Sequence, residues 1–439
     1  NYNQTCANEF VNTLLPRIFR RPLEANESST FSTMANGSAT SGDVKAGIQM
    51  ALETALSSPQ FVYRHEVGEL NPANTSIDSD AYELTSYEMA TWLSYTFTGS
   101  SPDDTTWQKA QNNQLRSQAE ILTEAQRLLN SAEAKDQMGN FVAHWLDTEH
   151  LEASPKDDAT WPGFSDVIPH MKQEVREVFA YVMLNENEQF DSLYDANYTF
   201  VNGPLAQHYG INGISGDAFQ MVNTTDRGGI LANGAFMARW AEEVETSPVR
   251  RSVRVRRRML CQDQPEPPAG VFADRAAKIE ELADFLAAQT TTNRMKYEAI
   301  TGDADCQVCH AEWINPLGFG MEDFSPVGNP RATDLKGNSI DATGAVYAPE
   351  RLNDKDISMA FQGTKGLGQV ITTLPNAQQC VPQNLFRYIT GVGIEGINVD
   401  DLEGPTLAAD EKNGYACAVR DLTTTMMEQS PRAMLESMS

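Results

Sequence analysis

The stretch "CQVCHAEWINPLGFGMEDFSPVGNPR", residues 306–331, opens on a Cys-x-x-Cys-His motif, Cys306, Cys309 and His310. Two thiols three positions apart each add to one vinyl group of a single porphyrin. The next residue then brings its imidazole to the iron from the same side. Zinc would need two further ligands nearby, and Cys380 and Cys417 are distant and lack a second Cys-x-x-Cys. A redox dithiol would need a preceding strand in a βαβ setting, and none is legible. The motif therefore predicts one covalent haem c with His310 as proximal ligand.

The residues after the motif are apolar and turn-rich. Trp313, Ile314, Leu317, Phe319 and Phe324 are expected to wall the macrocycle, and the Pro316 carbonyl is placed to accept the imidazole N–H. Met321 lies eleven residues past His310, close enough to fold back, and is the candidate sulfur ligand on the far side of the iron, with core packing as its favoured reading. His208 in "LAQHYGI" is an alternative ligand or a hydrogen-bonded structural residue, and Met237 and Met259 stand behind it. His65, His144, His150 and His170 are scattered on helical text. An iron with an open sixth position would instead permit peroxidase chemistry.

Upstream, "TSPVRRSVRVRRRMLC" (246–261) offers Ser247 as helix N-cap with Pro248 at the first helical position. Its arginines (250, 251, 254, 256, 257, 258) are read as bridging the chain's own Asp and Glu. Contact of one or two of them with haem propionates is the other reading, because guanidinium pairs two-pronged with carboxylate. The segment "QDQPEPPAG" (262–270) ends that helix as an extended connector.

Elsewhere the text is helical. Helices are expected over Thr5–Phe19, Val44–Leu56, 115–129, 170–184 and Arg275–Gln289, with two or three more in 355–436. "TSYEMATWLSYTF" begins with a capping box, Thr85 and Glu88, and sets Met89, Trp92, Leu93 and Phe97 on one face. Residues 71–80 read as a linker, and no series of alternating strands is visible. The net charge of −27, from 60 acidic and 33 basic residues, argues against nucleic acid as a partner. No run of about 18 apolar residues is present, so no transmembrane segment is expected. The chain starts at Asn1 and not Met, which fits removal of a signal segment or trimming. Six cysteines less the two of the motif leave four, which allow three pairings. Export would favour disulfides. Cys380 with Cys417 is the favoured pair, since 36 intervening residues close a short loop, and Cys6 with Cys261 would follow.

The haem block resembles that of the planctomycete-type cytochrome c-like multi-domain proteins, a family of exported proteins of unknown function. "RIFRRPL", "SSPQFVYRHE", "YELTSYEMATWLSYTFTGSSPDD", "FVAHWLD", "YTFVNGPLAQHYGI", "RGGILANGAFMA", "TSPVRR" and "CVPQNLFRYITG" resemble its other blocks in the same order. The resemblance implies export, to the periplasm, the outer surface or the medium. It carries Cys306, Cys309 and His310 over as haem-binding residues, and it sets an apolar Leu where this chain has Met321. Family members often have an upstream cytochrome domain that this sequence lacks, which puts the electron partner on another chain.

The expected architecture is mainly α, with helical bundle-like domains around a cytochrome c-like haem-attachment domain. The expected divisions are 1–70, 78–215, 225–350 (haem attachment) and 351–439. The expected function is electron transfer with a redox partner protein, possible assembly with another cytochrome chain included. A peroxidase- or oxidase-type haem enzyme, and a helical scaffold with structural haem, are the alternatives.

Overall fold

The computed structural model describes residues 2–38, 40–70, 82–262, 270–347, 358–392 and 409–439. The chain is mainly α, with 61% of residues helical. It packs as two units, residues 1–134 with Ser439, and residues 135–438. The expected linker 71–80 and most of the connector after Cys261 lie outside the described residues.

In the first unit the expected N-terminal helix runs as Gln4–Glu9, a π-helical turn Phe10–Leu14, and Leu15–Phe19. With Ala25–Ala35 and Val44–Leu56 it buries Phe10, Val11, Leu15, Phe19 and Phe31 in one cluster. The capping box forms as the sequence predicts. Thr85 and Glu88 exchange side-chain bonds with each other's backbone N–H, and Ser86–Thr98 follows, ending at Gly99 in the left-handed region.

The second unit is built on the long helix Phe164–Leu184, whose buried residues (Val167, Ile168, Met171, Val175, Val178, Val182) follow helical spacing. A two-stranded antiparallel hairpin, Tyr198–Val201 with Gln220–Asn223, packs on it, and a second joins Thr343–Tyr347 to Ser358–Gln362. These strands are four or five residues each, and among the described residues neither pair belongs to a larger sheet. That is why no strand pattern was legible.

Ser247 caps the helix Pro248–Arg254 by accepting from the Arg250 N–H, and a π-helical turn, Val255–Met259, extends it. Next come the helices Val271–Glu281 and Ala283–Ala287, where one helix over Arg275–Gln289 was expected, and then Asn293–Ile300. The chain after the motif is likewise helical where turns were expected. Ala304–Cys309 passes through a π-helical turn, His310–Ile314, into Asn315–Phe319.

Three expectations are corrected here. The disulfide joins Cys261 to Cys380, with Cα atoms 5.4 Å apart, and not Cys380 to Cys417 or Cys6 to Cys261. Sequence separation misled, because the fold brings the end of the arginine helix against Pro375–Thr390. Among the described residues, the arginines of that helix meet backbone carbonyls and rings more than carboxylates. Arg251 donates to the carbonyls of Met237, Met321, Phe324 and Ser325, Arg256 to Trp313 and Tyr347, and Arg258 to His144 and Trp145. Arg254 stacks on Trp240, and Arg250 meets Glu242 at 3.5 Å. The reason is burial: a guanidinium surrounded by loop carbonyls satisfies its donors without desolvating a carboxylate as well. Finally, the partner of the motif histidine is not Pro316.

Candidate haem-attachment site

Cys306, Cys309 and His310 line one cavity of about 310 Å³, at the small end of cofactor sites (roughly 300–1,000 Å³). Its walls come from three helices that precede the motif. The arginine helix supplies Val249, Arg250, Val253 and Arg257, and Val271–Glu281 supplies Val271 and Arg275. Asn293–Ile300 and the residue after it supply Tyr297, Ile300 and Thr301. The helices are held close by one missing atom. A Cβ on Gly318 would collide with the Pro248 carbonyl, so glycine lets Asn315–Phe319 abut the first turn of the arginine helix.

The π-helical turn orients the histidine. Five residues along an α-helix stand about 140° apart, at ~100° per residue. In this turn the Asn315 N–H bonds the His310 carbonyl five residues back, which brings the two residues onto one face. His310 Nδ1 then lies 2.9 Å from Asn315 Oδ1, which takes the place expected of the Pro316 carbonyl. Asn315 is buried, and its Nδ2 donates to Thr301 Oγ1 at 2.9 Å. Burial holds the His310 imidazole below its ordinary pKa. Nδ1 is thereby engaged, and Nε2 is the nitrogen left to bind a metal.

The residues fit a haem. Two thiols and an imidazole share the cavity, whose wall offers three cations, Arg250, Arg257 and Arg275, beside two acids, Asp305 and Glu242, the latter paired with Arg250. The Nε of Arg257 is buried with no hydrogen-bond partner among the described residues, a cost that an incoming carboxylate would remove. Nothing in the sequence separated Arg257 from its neighbours, because each arginine's direction depends on which helix packs beside it.

The other expected residues are placed elsewhere. Ile314 lines the cavity, whereas Trp313 and Phe319 do not. Trp313 lies under the Arg256 guanidinium, 3.6 Å from its ring centroid, and Phe319 clusters with Tyr297 and Ile300. Met321 is fully buried outside the cavity lining; its N–H donates to Gly318 O and its carbonyl accepts from Arg251. His208 Nε2 lies 2.9 Å from the Val327 carbonyl, as a structural histidine would. His150 pairs with Asp147 and His170 with Asn202. Met237 and Met259 are core residues.

Three stretches of the chain match family models. PSD5, protein of unknown function (DUF1595), matches residues 6–66; PSD4, protein of unknown function (DUF1592), matches 84–211; and PSCyt3, protein of unknown function (DUF1588), matches 227–334. These are planctomycete cytochrome c-like domain families, and their function is not known. The PSCyt3 match spans every residue lining the cavity, from Glu242 to Ile314. No curated protein and no solved structure matches the chain.

Proposed function

We propose that the chain carries one haem c, attached through Cys306 and Cys309 and ligated by His310 Nε2, and that it exchanges electrons with a partner protein outside the cytoplasm. The observation that carries this reading is the convergence of both thiols, the imidazole and three arginines on one cavity. When bound, the group supplies one-electron ferric/ferrous chemistry. The chain's own part is to hold and position. Arg257 and Arg275 would hold the two propionates, and the Val249, Val253, Ile300 and Ile314 side chains would exclude water from the ring. Val308, between the two cysteines, is 83% exposed, so the attached edge lies at the surface, within reach of a docked redox partner, including another cytochrome chain. Location outside the cytoplasm accords with the Cys261–Cys380 disulfide. No helix among the described residues is long and apolar enough to cross a membrane.

Attachment is tested by denaturing the purified protein and extracting it with acid–acetone. The colour is expected to stay on the polypeptide, and to be lost in Cys306→Ser/Cys309→Ser; free haem in the extract defeats the proposal.

A second reading has its own support. Among the described residues lining the cavity, His310 is the single histidine and there is no methionine. That favours an iron with an exchangeable sixth position, as in a peroxidase- or oxidase-type enzyme. A ferrous protein that binds carbon monoxide at once selects this reading, and a low-spin protein that refuses it selects electron transfer alone.

A further inference from the structure

We propose that Asn315 and Thr301 are positioning residues that fix the tautomer of His310, so that its Nε2 presents a lone pair to the cavity before any metal arrives. The inference deepens the haem reading and shares its site, but it rests on hydrogen bonds present in the chain itself.

The chain of bonds has one consistent direction. The Thr301 hydroxyl has one proton, and it lies 2.6 Å from the Tyr297 carbonyl, which only accepts. Thr301 Oγ1 must therefore accept from its other neighbour, Asn315, 2.9 Å away. That contact is made by the amide nitrogen, which turns the amide oxygen toward His310. An amide oxygen only accepts, so Nδ1 at 2.9 Å must carry the imidazole proton, and Nε2 has none. Each link is fixed by the one before, and the first is a main-chain carbonyl of the helix Asn293–Ile300. Tyr297 is itself anchored, its hydroxyl donating to Ser247 Oγ at the cap of the arginine helix.

The arrangement has two consequences. A neutral imidazole has two tautomers, and one that must switch before it can ligate pays for the switch on binding; here the ligating form is preset. Further, an amide oxygen is a weaker acceptor than a carboxylate, so the ring pushes less charge onto a metal than it would against an Asp.

The test has an arm that needs no haem. In the full chain prepared without haem, ¹⁵N-histidine NMR at about pH 8, where an ordinary imidazole is neutral, reports the tautomer of each ring, and His310→Gln identifies the relevant signal. His310 is expected as the Nδ1–H form. Thr301→Val and Asn315→Leu are expected to move it toward the Nε2–H form, while Thr301→Ser, which keeps the hydroxyl, retains the wild-type signal. An Nε2–H tautomer in the wild type overturns the proposal, as does a signal unmoved by both Asn315→Leu and Thr301→Val.

The second arm uses the haem-loaded protein. Asn315→Asp is expected to lower the reduction potential and raise the ferrous iron–histidine stretching frequency. Asn315→Leu is expected to do the opposite, and equal shifts of the same sign in both variants overturn the proposal. If the wild type binds no haem, the haem reading fails while the NMR arm still decides the tautomer. Circular dichroism of each variant guards against mere unfolding, and Thr301→Ser serves as the folded control.

Discussion

Lys156 and Met321 show how far a single side chain's surroundings decide its behaviour. Lys156 is buried, its Nζ bonded at 3.0 Å to the carbonyls of Ser154 and Ala238, and burial, with Arg251 next in importance, pushes its pKa down to about 8. Between about 8 and the ordinary 10.5 the unfolded chain holds a proton that the folded chain has released. Stability attributable to this residue therefore rises with pH through that window and is lost as pH falls through the folded value. Denaturation series from pH 7 to 10.5 should show the rise in wild type and a flatter profile in Lys156→Met. Met321→Leu, in turn, is expected to leave the visible spectrum of the haem-loaded protein unchanged, since that side chain packs in the core. Loss of a ferric band at the red edge would instead identify Met321 as a ligand. Sequence carried the motif residues because their spacing is itself the chemistry. It missed Asn315 and Arg257, whose parts depend on a π-helical turn and on a neighbouring helix. Met321, for which packing and ligation were both open, is buried outside the cavity lining.

Among the elements, those with signals written in consecutive residues were legible. Thr85 with Glu88, Ser247 with Pro248, and the apolar spacing of Val44–Leu56 each formed as expected, because caps and periodicity are local. The continuation of the motif helix to Phe319 was not legible in a stretch that reads as turn-rich. Tertiary contacts hold the helix there. Arg256 donates to Trp313 O within the π-helical turn, and Gly318 closes on Pro248. Gly318→Ala is expected to force these two helices apart and lower the unfolding midpoint, with the loss of about 1–3 kcal/mol usual for overpacking, measured by denaturant titration. Gly302→Ala, whose added Cβ would meet nothing nearer than 3.1 Å, is expected to cost less.

For the whole molecule, helical periodicity set the mainly helical class, and the expected divisions were 1–70, 78–215, 225–350 and 351–439. The chain divides into two units between residues 134 and 135, within the helix Ala132–Leu146, whereas the family matches run 6–66, 84–211 and 227–334. Units defined by packing and stretches defined by kinship need not coincide, since a helix can continue across either kind of border. The disulfide belongs to this scale as well. Replacing Cys261 and Cys380 by alanine is expected to cost roughly 2–5 kcal/mol of stability, measured by chemical denaturation without reductant. That bond makes a closed ring of the backbone from Cys261 to Cys380, and Cys306, Cys309 and His310 all lie on its circumference. A single proteolytic cut anywhere on the ring opens it without parting it. The nicked chain should migrate intact under non-reducing conditions, still coloured, and come apart only when a reductant breaks the clasp.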